Sequence, residues 1–552
     1  MLSLDPNDIY EEIRHAEADR DDHLKTFEEQ VALYHGRAWK NSEVSAHENH
    51  SYEMASLLLP KLSYDNPACN VRSMLNTDDA EAAAAVIEQG LSTWIRRTRY
   101  RTLGSRLALD ELFNFSALAV QRVGSTRKLE PFGSVHIPGA KRIPQRMFGM
   151  DGLAHTVEES RFFFRKWFVD KEDLKRIARG SEEWNEAAID ELVEDAGLPD
   201  EWSKAPKRKQ VALYDVWMRG RAADGGELPE GYSGTMLTVG AVRTTTGQTG
   251  ELIRKPHNHW GHSDGPFVVG GCYSVPDSPW PLGMLSATYE QTKELNRQCA
   301  RMAEEMDAYK RLALVDAMDT QLAKDIATQG NLFVIPVANL GSNKVIQLEV
   351  GGTTEQRVAY VQLLRDRLDR NSGMTDAQRG NVTGQGTATE INLAADAATA
   401  RNAYIARQRA DAATQCLERI AWYLFHDKQV VFTLDKEAIE KLKDMGMGDM
   451  RVFRGGMFEN VQFEDLELEI SPYSMERVNE VVGQQRALQK LDMLLKAAPV
   501  MLQTPQIDWK KPLSSLGQAM NDPTYGEILD TDKLSSEQSR IADMQGAANA
   551  GV

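Results

Sequence analysis

Three imidazoles and a carboxylate fall within eight residues of one another in Lys255-Pro256-His257-Asn258-His259-Trp260-Gly261-His262-Ser263-Asp264. These are zinc donors, and a site with one open position would activate water for hydrolysis. His257 and His259 would share a face of an extended strand, because side chains alternate along it. The competing reading is a polar turn between two strands with its histidines at the surface. His47 and His50 make a thinner pair. Phosphate binding is the second chemistry to weigh. Arg96-Arg97-Thr98-Arg99-Tyr100-Arg101, with Arg106, is the densest basic patch and includes an aromatic. It could contact phosphates or an acidic partner, or simply complement the negative end of a helix. Lys207-Arg208-Lys209 reads as a surface charge cluster. The glycine-rich stretch 380–386 lacks the lysine of a phosphate-binding loop, and no G-x-x-x-x-G-K-[ST], H-E-x-x-H, G-x-S-x-G or EF-hand sequence occurs. No activated nucleophile or paired carboxylate accompanies the histidines. The sequence therefore assigns no catalytic residue, no metal ligand and no cofactor site.

The elements that would position these groups follow from periodicity. Asp5-Pro6 opens a helical first 60 residues, with Ile9, Ile13, Leu24, Phe27, Val31 and Tyr34 near helical spacing. A second helical block is expected over about 76–118, capped at Thr77-Asp78-Asp79. From 130 to 280 short apolar runs alternate with glycine and proline turns, the pattern of antiparallel sheet, interrupted by a short helix around 171–197. Residues 285–311 contain no glycine or proline and predict one unbroken helix, roughly 40 Å long. Strands are expected at Leu312–Val315, Leu332–Ile335 and Val345–Leu348, with a short helix over 319–328 and a turn at Gly341-Ser342-Asn343. A helix then runs from Thr354 to about Arg370. Residues 373–386 carry four glycines and read as a mobile loop. Thr387 caps an alanine-rich helix that could reach Phe425, followed by strands at 429–434 and 466–470, a helix at 476–497 and a polar tail from 534.

Composition sets bounds on all of this. The chain has 552 residues, 64 basic and 81 acidic side chains and a net charge of −17, which argues against a surface built throughout to grip nucleic acid. Its length allows several domains or subdomains. The four cysteines, Cys69, Cys272, Cys299 and Cys416, lie far apart, unlike a disulfide scaffold or a cysteine zinc site. No apolar run is long enough to span a membrane, and the acidic N-terminus lacks a signal-peptide pattern. Residues 281–425 hold 16 basic and 17 acidic side chains, so nearly all the net charge lies on either side of them.

The order long helix, small αβ module, helix, glycine loop, very long helix resembles the portal (head-to-tail connector) proteins of tailed bacteriophages, podovirus-like. Ser278-Pro279-Trp280-Pro281-Leu282-Gly283 looks like the lead-in to the descending stem helix. The module at 312–350 looks like the clip. Gly386-Thr387-Ala388-Thr389-Glu390-Ile391 is similar to the start of the family's long wing helix after its tunnel loop. The aromatic run at 161–168 followed by Asp170-Lys171-Glu172-Asp173-Leu174 looks like the wing of podovirus-type portals.

The resemblance implies an α+β portal fold with a helical and β wing, long-helix stem, small αβ clip, tunnel loop and C-terminal helical crown region. It divides the chain into an N-terminal wing (1–280), descending stem helix (281–311), clip (312–350), ascending stem helix (351–372), tunnel loop (373–386), long wing helix with wing β region (387–475) and crown with flexible tail (476–552). It implies a homododecameric ring at one capsid vertex of the virion, made and assembled in the host cytoplasm, with no enzymatic activity and no membrane contact. Its partners would be major capsid protein, terminase large subunit, tail adaptor proteins and the double-stranded DNA packaged and ejected through the channel. Thr375, Gln378, Arg379, Asn381, Thr383 and Gln385 would face that DNA as neutral hydrogen-bonding groups plus one guanidinium, which Asp376 roughly cancels. The alanines between Ala394 and Ala413 would let the long helix approach its symmetry mates closely. Two alternatives remain open: another oligomeric virion protein, such as a tail adaptor or scaffold, and a metal-dependent hydrolase using His257, His259 and His262.

Overall fold

The Asp5 carboxylate accepts from the Asn7 backbone N–H at 2.9 Å and Pro6 fills the first turn, so the first helix starts where a proline can be tolerated. The structure is a computed structural model. It describes residues 5–36, 48–63, 65–75, 77–129, 133–195, 210–244, 247–316, 333–338, 345–350, 352–373, 388–434, 452–458 and 460–470, with a few isolated positions besides; over 388–401 it describes the backbone.

In chain order, helices α1 (Pro6–His23), α2 (Phe27–Tyr34) and α3 (His50–Leu62) precede strand β1 (Cys69–Ser73). Helices α4 (Asp78–Thr98) and α5 (Tyr100–Phe113) follow, then β2 (Phe115–Leu129), β3 (Gly133–Ile143), β4 (Phe148–Met150) and β5 (Phe162–Asp170). Two short helices, α6 (Lys171–Ala178) and α7 (Glu186–Glu191), lead to β6 (Glu194–Asp195), β7 (Gln210–Arg219), β8 (Tyr232–Thr244) and β9 (Gly247–Trp260). Next come β10 (Phe267–Gly271), β11 (Tyr273–Val275), β12 (Ser278–Leu282), α8 (Met284–Ala287) and α9 (Tyr289–Asp307). The chain continues through β13 (Lys310–Asp316), β14 (Phe333–Val337), β15 (Val345–Val350), α10 (Glu355–Ser372) and α11 (Ala388–His426). It closes with β16 (Val431–Thr433), β17 (Val452–Arg454) and β18 (Leu466–Ile470).

The architecture is mixed α+β. An antiparallel sheet ordered β4-β5-β7-β8-β9, with β6 on β7, has one face under α1: Ile9, Tyr10 and Ile13 pack on Phe162, Phe164, Tyr214, Leu237 and Val239. The other face supplies Phe163 and Trp217 to an aromatic layer with Phe115, Phe148 and Trp280, shared with the sheet β10-β2-β3. The largest core joins α4 to the second half of α11 under the β1–β18 ribbon. Gly265 crosses the aromatic layer with φ +76°, and a β-carbon there would lie 2.3 Å from the Trp217 ring. No described helix is long and apolar enough to cross a membrane.

Several boundaries differ from expectation. The second helical block stops at Phe113, and β2 begins at Phe115, so the sheet region opens well before 130. Phe115, Ala117, Leu118, Ala119 and Val120 are all buried; burial on both faces erases the alternation that marks a strand. The helix expected over 285–311 breaks at Thr288, whose hydroxyl donates back to the Met284 carbonyl at 3.1 Å, and it ends at Asp307. Thr77 precedes α4 but its side chain caps nothing. The 319–328 helix (apart from isolated helical positions), the Gly341-Ser342-Asn343 turn, the Thr387 cap, the Lys207-Arg208-Lys209 run, His47, the 476–497 helix and the tail all lie outside the described residues.

Candidate functional site

Helices α9 and α10 form an antiparallel hairpin with a three-stranded module at its far end. Each helix is roughly 27 Å long at 1.5 Å per residue. Their contact is narrow: Leu295 from α9 meets Val361, Leu364 and Leu368 from α10, with Cys299 and Met302 at the margin. Arg357 pairs with Glu305 across the hairpin, and the Thr353 hydroxyl donates to the Met302 carbonyl at 3.4 Å. At the near end Glu48 straps both helices. Its backbone N–H donates to Asn296 Oδ1 at 2.9 Å, and its carboxylate pairs with Arg365. Gly373 closes α10 in the left-handed conformation, φ 68°, the usual glycine stop.

In the module, β13 lies between β14, to which it is parallel, and β15, to which it is antiparallel. Ala313 and Val315 on one face of β13 are buried. On the other face Leu312 and Leu314 are only half-buried, and their register neighbours include Ile346, half-buried, and Ile335, 42 % exposed. Three short strands are close to the minimum that holds together alone, and this sheet leaves apolar surface incompletely covered among the described residues.

Helix α11 is held very differently. Arg409, 1 % exposed, pairs with the buried Glu111 of α5: Nη1 to Oε1 is 2.9 Å, and the Ser116 hydroxyl donates to the same oxygen at 2.6 Å. Burial pushes the Glu111 carboxyl up, and the guanidinium pulls it back. Ten residues later, nearly three turns on, Arg419 Nε donates to the Gly265 carbonyl at 2.8 Å, and Nη1 to Gln415 O at 2.7 Å. Just beyond the helix Asp427 takes bonds from Arg122 at 2.7 Å and lies 3.2 Å from His136. Burial alone would raise the Asp427 pKa, but these bonds hold it below the usual carboxylate range. Ala406, Ala410, Ala412 and Ala413 are buried inside the chain's own cores, so this half of the alanine face is spent within the subunit rather than offered to a copy.

Of the residues singled out by sequence, Thr375, Gln378, Arg379, Asn381, Thr383 and Gln385 lie outside the described residues. His257 and His259 stand on β9 instead of in a turn, paired with Met236 and Gly234 of β8. Burial lowers the pKa of both, His259 to about 4. His262 belongs to another neighbourhood: it lies 3.8 Å from Asp264 and packs edge-on against Phe463. Burial, and then Arg419, holds it near 4. Among the described residues no three His, Cys, Asp or Glu side chains gather as a metal set. The arginines 96, 97, 99, 101 and 106 are all exposed at the elbow between α4 and α5. Tyr100 among them is buried, 1 % exposed, against Trp94.

Arg409, Glu111, Glu48 and Arg365 were not singled out by sequence. Arg409 had a signal, since a cation amid alanines on an otherwise apolar helix face implies a buried partner. Its partner lies 298 residues away and had none. No protein-family model matches the chain, and no curated protein matches it.

Proposed function

We propose that this chain is the portal subunit of a tailed bacteriophage, podovirus-like. It would form a dodecameric ring at one capsid vertex, conducting double-stranded DNA inward and outward and seating the terminase and then tail adaptors. The observation that carries the reading is the hairpin α9/α10 with its strand module at one end and Gly373 and α11 at the other. In this reading α9 and α10 are the stem, β13–β15 belong to the clip, and 373–386 is the tunnel loop that Thr375, Gln378, Arg379, Asn381, Thr383 and Gln385 turn toward DNA.

Three features support ring formation through the stem and clip. The stem core is a single row of side chains, while Val358, Tyr360 and Leu363 on α10 and Met306 on α9 are 40–59 % exposed. The half-covered sheet face around Leu312, Leu314 and Ile335 would be completed by a neighbouring module, as a heterologous ring contact requires. Helix α9 carries an acidic excess and α10 a basic one, so α9 of one copy and α10 of the next would be complementary in charge. Twelve copies would carry roughly −200 charges, which suits a conduit because each phosphate contact adds drag. The test is electron microscopy of the purified chain with native mass measurement. Closed rings of twelve copies with a central hole are expected. A monodisperse monomer at micromolar concentration, in the presence and absence of DNA and scaffold, would overturn the reading.

A further inference from the structure

The arginine elbow between α4 and α5 is a feature that the stem, clip and loop do not use. Arg97, Arg99, Arg101 and Arg106 are all exposed on a chain whose net charge is −17, and among the described residues none of the four forms an ion pair with a carboxylate. That contrasts with Arg122, Arg142, Arg161, Arg165 and Arg254, each bound to an acid. The elbow is a built feature. Arg99 itself takes the left-handed conformation, φ 54°, ending α4 and starting α5 in a single residue. A non-glycine residue pays strain there. That residue presents the cations of the last turn of α4 and the first turns of α5 from two helix ends at one corner. Arg97 also donates to the Thr433 hydroxyl at 3.3 Å, and the Arg101 backbone N–H is held by Asn66 at 3.2 Å, so the corner is braced from two sides.

We propose that this elbow is a second, sequence-independent binding site for the phosphate backbone of double-stranded DNA. Arginine, rather than lysine, makes up the whole patch, and its planar fork matches phosphate oxygens. The preference for duplex follows from Tyr100. A single-strand site stacks bases on exposed aromatic rings, and the one aromatic within the patch is packed inward against Trp94, leaving no stacking surface. Contacts to phosphates alone carry no sequence information. The site needs no ring and draws on no residue of 373–386.

The test is fluorescence anisotropy of a labelled duplex with the full-length chain over a series of salt concentrations. Each phosphate contact contributes about 0.9 to the slope of log binding constant against log salt. The variant Arg97→Gln with Arg99→Gln, Arg101→Gln and Arg106→Gln should therefore flatten the slope by about three to four and weaken low-salt binding. Arg97→Gln with Arg106→Gln, which leaves the elbow residue untouched, should flatten it by about two, guarding against a folding defect in the larger variant. Arg176→Gln on α6, where the cation already pairs with Asp173, should leave the slope unchanged, and native mass measurement of the same samples keeps loss of the portal reading separable from loss of this site. A single strand of the same length should bind no tighter than the duplex. The proposal falls if the wild type does not bind duplex at low salt, if the arginine variants keep the wild-type slope, or if they change only the oligomeric state, which would make the elbow a protein contact.

Discussion

Helices α10 and α11 are neighbours in the chain but opposites in how they are held. Helix α10 contributes three side chains to a single-row core, and its cations pair at the surface with Glu305 and Glu48. The second half of α11 is buried on several sides, and its cations Arg409 and Arg419 are spent internally on a carboxylate and on carbonyls. The difference separates an element complete within one subunit from one whose apolar flanks remain to be covered. A buried ion pair is poor at adding net stability but effective at punishing the wrong register, because a shifted helix would leave both charges stranded. In the proposed ring, α11 would be the fixed reference and the stem the part that adapts to its neighbours.

The sharpest way to break this contrast is to unpair α11. Arg409→Ala leaves Glu111 without its counter-charge in the core and should cost about 3–5 kcal/mol, read as a fall in the urea midpoint. Arg409→Met combined with Glu111→Leu should recover most of it, since shape is kept and no charge is stranded. If the single variant is as stable as wild type, α11 is not anchored by this pair.

The α9/α10 hairpin should respond less, and locally. Leu368 is fully buried, and Leu368→Ala should cost about 2–3 kcal/mol. The loss should be visible as faster amide exchange in 289–307 and 355–372 with little change over 405–425. Equal acceleration in both regions would show that stem and anchored helix open as one unit.

The half-buried histidines at and just after the end of β9 provide a pH test. His259 and His262 titrate near 6.5 when unfolded and are held down to about 4 by burial. The unfolded chain therefore binds protons that the folded one refuses. This contribution is complete above about pH 6.5 and drains away as pH falls toward 4. Replacing His259 by Gln should flatten the stability profile across that window, measured by denaturant unfolding at each pH.

Smallest of all should be the pair that crosses the α9/α10 hairpin. Arg357→Gln should cost under about 1 kcal/mol and less still at high salt, since a partly exposed pair is screened. A loss as large as that of Arg409→Ala would erase the distinction between the two helices.

Much of this was legible before the fold. Helical periodicity in 6–34, the strands of 310–350 and the helices flanking them follow from local spacing, and such features need only neighbours in sequence. The lead-in to α9 did not yield to that reasoning, because the Thr288 break depends on a hydroxyl turning back to Met284 inside a packed corner. The start of β2 was hidden because neighbours on both sides buried both of its faces.

Residue type and spacing by themselves determined that the chain is acidic, that it lacks a nucleotide-binding loop or disulfide framework, and where most helices and strands run. Only the tertiary structure decided what the notable side chains do. Pairing with β8 held His257 and His259 in a strand, burial lowered their pKa, and packing against Trp94 turned Tyr100 inward, away from the arginines beside it. Pairing across 298 residues gave Arg409 its partner, and Ala406, Ala410 and Ala413 of α11 found their contacts inside the subunit. The physical reason is common to all of these: periodicity reports which face of an element is apolar, but charge state, solvent access and partner are set by whatever packs against that face, and the packing partners come from distant parts of the chain.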